Sequence, residues 1–115
     1  MTIEESVYTA LHAVLPNTHA VELPKRPTWP AILFDIESTP EDGWGVAVTY
    51  EQHVIAVVTF GRSLAAIKAM RASITAAMEA IPGYMAAEDH GDADYEGDPE
   101  VYAYFQNYRI RTRTL

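Results

Sequence analysis

The sequence predicts an α+β domain, an antiparallel sheet of three to four strands with two helices packed on one face. Three observations predict it. Residues 53–81 read as a buried strand that turns directly into a long Ala-rich helix. Residues 2–15 carry a second, shorter amphipathic helix. Residues 31–37 and 101–113 alternate apolar and polar positions with the period of a strand. No internal repeat or composition break divides the chain, so residues 1–115 are expected to form one domain.

Thr2-Ile3-Glu4-Glu5 is a capping box. The Thr2 side chain is placed to accept from the amide of Glu5, Glu5 reaches back, and both glutamates suit the positive end of a helix. Ile3, Val7, Leu11 and Val14 or Leu15 then form an apolar stripe with Tyr8 beside it, and Pro16-Asn17 ends the helix. At roughly three turns it needs a docking surface to be stable. Residues 18–30 carry three prolines and should be extended and irregular. Pro24-x-x-Pro27 has the spacing of an SH3 ligand, but a stiff connector is the expected reading, with Trp29 as its packing anchor.

In the strand AILFDIE (31–37), Ile32, Phe34 and Ile36 point one way and Leu33, Asp35 and Glu37 the other. Asp42-Gly43 is a hairpin signal, and strand character resumes from Trp44 to Phe60 as one long strand or two. Gly61 breaks this run and Ser63 is placed to cap the next helix. Ile67, Ile74, Met78 and Ile81 make that helix's buried stripe, alanines make it slim, and Pro82-Gly83 stops it. Tyr84-Met85 begins strand-like, then residues 88–100 bring seven acids and read as a solvated hairpin loop. The last strand has Val101, Ala103, Phe105 and Asn107 on one side and Tyr102, Tyr104, Tyr108 and Ile110 largely on the other. Arg109, Arg111 and Arg113 extend the first side as a basic row.

The totals exclude several classes. A formal charge of −8 argues against a nucleic-acid binder, whose affinity comes from clustered Lys and Arg. The absence of cysteine removes disulfides, thiol nucleophiles and thiolate metal sites. With no membrane-length apolar run and no basic-then-apolar opening, neither a membrane span nor a signal peptide is expected. Asp92-x-Asp94-x-Glu96-Gly97, with His90 and Asp98 nearby, resembles the start of a calcium loop, but its twelfth position is Ala103, where a bidentate glutamate is needed. His12, His19, His53 and His90 lack metal-type spacing, Ser63 and Ser73 lack a nucleophile elbow, and Asp35 and Glu37 fit a solvated strand face. No cofactor or catalytic constellation is expected.

The strand pattern leaves apolar residues on both sides of the sheet, while two helices cover one. Exposed contiguous apolar surface marks an interface, so a homo-oligomer is expected. The competing arrangement folds residues 16–30 and 84–100 over the open face.

The order SVYTALHAVLP, LPKRPTWPAILFDI, HVIAVVTFGRSLAAIKAMRASITAAM and DYEGDPEVYAYFQNYRIRTR resembles the small tail-completion proteins of long-tailed phages and prophages, the tail terminator or head–tail joining group. The resemblance spans nearly the whole chain through loose motifs, none of them catalytic. It implies a non-enzymatic structural protein of the virion, assembled in the host cytoplasm and placed at the head-proximal end of the tail. Its subunits would form a ring, commonly a hexamer, that caps the tail tube, stops its polymerisation and docks on the head connector. The implied partners are further copies of the chain, the tail tube protein and the connector. DNA would pass through the lumen without specific binding, and no membrane is involved.

Under that resemblance Ile55, Val57, Tyr102 and Tyr104 would pack between subunits, and Arg109, Arg111 and Arg113 would pair across an interface. Asp92, Asp94, Glu96 and Asp98 would face the lumen or a neighbouring ring. The competing class is a small oligomeric protein-binding or regulatory adaptor. An enzyme would need acids and histidines converging in one pocket.

Overall fold

Helix α1 (Ile3–Val14) starts at Thr2, whose hydroxyl oxygen accepts from the Glu5 amide at 3.2 Å. The capping box closes differently from expectation, because the Glu5 carboxylate accepts from the Thr2 hydroxyl instead of reaching the Thr2 backbone. The computed structural model describes residues 2–41, 49–95 and 97–114. Val7 and Leu11 carry the buried stripe of α1.

Strand β1 (Thr18–Ala20) follows at once and pairs parallel with Ile32–Phe34 of β2 (Ala31–Pro40). The segment expected to be wholly irregular therefore opens with a strand, one too short to leave a periodic signal. Asn17 makes the return possible. Its side-chain amide donates to the carbonyls of Thr28 (2.7 Å) and Pro30 (2.9 Å), tying both ends of the connector together.

Strand β3 (Thr49–Gly61) is continuous and antiparallel to β2. The expected Asp42-Gly43 hairpin and Trp44 lie outside the described residues. Ser63 caps α2 (Leu64–Ala69), accepting from the Ala66 amide at 3.2 Å. The long helix is in fact two. The Met70 amide donates to Ile67 in a tighter, three-residue turn, and α3 (Arg71–Glu79) begins beyond it. Ile67 and Ile74 stand seven residues apart, so the kink keeps the apolar stripe on one side, and periodicity alone cannot reveal it. Gly83 turns the chain with φ +91, where a Cβ would meet the Arg111 carbonyl oxygen at 2.0 Å.

Strand β4 (Tyr84–Ala93) runs straight into the acidic segment and pairs antiparallel with β5 (Tyr102–Thr114), with register shifts between Tyr84 and Ala86 and between Ala87 and His90. The order β1-β2-β3-β5-β4 makes a five-stranded mixed sheet, where three to four antiparallel strands were expected. The strand not expected at all is β1, hidden among prolines, while β4, expected only to begin at Tyr84-Met85, continues through acids that read as loop.

The main core lies between one face of the sheet and the helices. Ile32, Phe34, Ile55, Val57, Tyr108 and Ile110 form its floor, and Val7, Leu11, Ile74 and Met78 cover it. The opposite face is divided. At one end Phe60, Val101 and Ala103 form a second cluster beneath Leu23, Trp29 and Tyr95. The rings of Trp29, Phe60 and Tyr95 meet at centroid distances of 5.2 to 5.9 Å, two of the three pairs edge-on. The connector and the segment after β4 thus close over the open face. At its other end that face is polar and carries the arginine row.

Candidate functional site

This division reassigns the residues expected at subunit contacts. Ile55 and Val57 are 0% exposed beneath the helices and have no surface to offer a partner. The expectation came from counting apolar residues on both sides of β3 without knowing which side the helices took. Tyr104 is buried as well, with the Arg71 guanidinium 5.0 Å and the Lys68 ammonium 5.9 Å from its ring centre. Tyr102 alone of the four is exposed, at 49%.

The arginine row faces solvent, but two of its members find partners within the subunit. Arg109 Nε stands 2.8 Å from Glu88 Oε1, near enough for an ion pair though not aligned as a hydrogen bond. Arg111 Nε donates to Glu41 at 2.8 Å and its guanidinium lies 3.8 Å from the centre of the Tyr50 ring. Glu41 also accepts from the Gln52 side chain. That bond, more than Arg111, holds its carboxyl below the usual value, against some desolvation. Arg113 is exposed beside Tyr50 in the register.

The four acids expected to line a lumen are not one group. Asp92 sits on β4, 4.0 Å from Lys68 and largely exposed. Asp94 is exposed just beyond the strand. Asp98 is drawn back by Arg62 at 3.1 Å and also accepts from the Glu100 amide. Glu96 lies outside the described residues.

Two polar networks escaped the sequence reading. His53 is buried and bridges three strands, with Nδ1 2.7 Å from the Ser38 hydroxyl and Nε2 2.7 Å from that of Thr112. A cleft of about 480 Å³ opens between α2–α3 and strands β4 and β5. On its floor the Gln106 amide donates to the hydroxyls of Tyr108 (2.7 Å) and Thr75 (3.3 Å), which lie 2.9 Å apart. Burial raises the Tyr108 phenol above its ordinary 10.0, so it stays neutral there. These side chains satisfy one another, and period-two spacing of Tyr104, Gln106 and Tyr108 was the only signal that they share a face. Among the described residues no three His, Asp or Glu side chains gather as a metal site.

The geometry thus offers surfaces more than a pocket. The outermost strand, β4, is exposed along most of its length, with Met85 48% accessible. No family model matches the chain, and no curated protein sequence does. Among solved structures it is similar to a chain in the virion of a native gene transfer agent (GTA) particle. The TM-score is 0.66 at 16% identity, covering 97% of this chain and 95% of that one. At that identity the likeness shows a shared fold, held nearly from end to end.

Proposed function

We propose that this chain is a structural, non-enzymatic protein of a phage-like virion, a tail-completion subunit that assembles into a ring, caps the tail tube and joins it to the head connector. The observation that carries the reading is the near end-to-end likeness to a virion chain, reached independently of the sequence resemblance to tail-completion proteins. A fold alone does not determine function. Its weight here comes from agreement with a chain whose distinctive features are surfaces: an open edge strand, a solvated row of arginines and an acidic segment.

The ring would take contacts from the exposed residues, not from Ile55, Val57 and Tyr104. Tyr102, Arg113 and the β4 edge are available to other copies or to the tube and connector proteins. The net charge of −8 would let DNA pass without adhering.

The test is to add the purified chain to polymerising tail-tube protein and image the products. Tubes that stop short with the chain bound at one end support the reading. Tubes that lengthen unchanged, with no chain at their ends, refute it.

A further inference from the structure

The β4 edge has three properties that together specify an occupant. First, its backbone is open. It is the outermost strand of the sheet, ten residues long, and on such a strand about half the residues aim their N–H and C=O groups away from the neighbouring strand. Edges of this length are ordinarily shortened, covered or defended by lysine and proline. The sequence YMAAEDHGDA has neither, and its protection is limited to its acids and two register shifts against β5. Second, it begins apolar, with Met85, Ala86 and Ala87 all exposed. Third, it ends acidic, with Glu88, Asp89 and Asp92 followed by Asp94.

The opposite edge of the same sheet complements it. Strand β1 covers only three residues there, leading into Val21, which is 70% exposed. The connector behind it presents Lys25 and Arg26 beside a single acid, Glu22, all exposed, with neither cation in an ion pair among the described residues. One edge thus offers an apolar start and acids, and the other an apolar residue and two cations that outnumber its one acid. Two copies joined β4 to β4 about a two-fold axis would run antiparallel and crowd Glu88 and Asp89 of both copies at the axis, which is destabilising. Joined head to tail, each contact sets acids against cations, and a repeated heterologous contact closes into a ring when the rotation per subunit divides the full circle.

We propose that the β4 edge receives the β1–connector edge of a second copy of this chain, extending the sheet from subunit to subunit. The inference rests on the ring reading above and specifies which surfaces make the ring. It takes Asp92 and Asp94 as contacts between neighbours, in place of a lumen lining.

The test uses three variants of the full chain and reads assembly by light scattering over a concentration series at about 0.15 M salt, where screening spares only close charge pairs. Lys25→Glu with Arg26→Glu reverses one edge, and Asp92→Lys with Asp94→Lys reverses the other. Each is expected to raise the concentration at which rings form by about tenfold or more, and the chain carrying all four changes is expected to recover most of that loss. Amide exchange supplies a second readout, with β4 protected in the ring and unprotected in the monomer.

Rings that form normally from both edge variants, or a fourfold variant no better than either pair, overturn the edge assignment and leave the ring reading standing. A wild-type chain that stays monomeric at every concentration, with and without tail-tube protein, removes the ring reading and this inference with it.

Discussion

Replacing Trp29 with alanine tests the finding that most changed the picture, the closing of the open sheet face by the chain's own loops. Trp29 is half-buried and touches Phe60 and Tyr95. A fully buried Trp→Ala change costs about 3–5 kcal/mol. Partial exposure lowers this, and two aromatic contacts of about 0.5–1.5 kcal/mol each fall within it, so a loss of about 2–3 kcal/mol is expected. With an unfolding entropy near 2.1 cal/mol/K per residue, a chain of 115 residues should lose about 10 °C in Tm. Thermal unfolding of the monomer followed by circular dichroism measures the shift and urea unfolding the free energy, and Trp29→Phe should retain more than half of the lost stability. A Trp29→Ala loss below about 0.5 kcal/mol would refute the reasoning. It would mean that the connector does not hold this face, which would then be available as a subunit contact.

Three further outcomes follow from local geometry. Thr59 is buried and its hydroxyl finds no partner among the described residues, so Thr59→Val should stabilise the fold by about 1 kcal/mol, read as a higher urea midpoint. Gly83→Ala should destabilise by more than about 1 kcal/mol in the same assay, since φ is +91 and the added carbon meets the Arg111 carbonyl. The Glu41 carboxyl is held below 4.5 in the folded chain, so its contribution is present at neutral pH and is lost as pH falls through that depressed value. Wild type should therefore exceed Glu41→Gln in thermal stability at pH 7, and the gap should close below about pH 4.5; a gap that widened with acid would reverse the sign.

How much of this the sequence disclosed differs from element to element. The capping threonine and serine, the buried stripe of α2–α3, and the faces of β2 and β5 were all legible, because each rests on local periodicity or a cap. What was not legible is decided between elements. Ile55 and Val54 alternate on β3 with nothing local to say which lies under the helices, so Ile55 was placed at an interface and proves to be core. Trp29 was expected to anchor the connector, and it does, but its partners Phe60 and Tyr95 are brought to it by the sheet order. The start of β4 at Tyr84-Met85 was legible, but its continuation was hidden because its acids resemble a loop, and a strand at an edge needs no apolar face to pair through its backbone. The arginine row was legible as a row; that Glu88 and Glu41 would meet Arg109 and Arg111 required the register.

The mass of the assembled chain decides whether it forms a ring. The chain should be run alone and with tail-tube protein through light scattering, and the peak imaged by negative stain. A closed ring with a mass near six times the 12.8 kDa subunit is expected, formed alone or on the tube. A 12.8 kDa monomer that also fails to associate with the tube protein would contradict it.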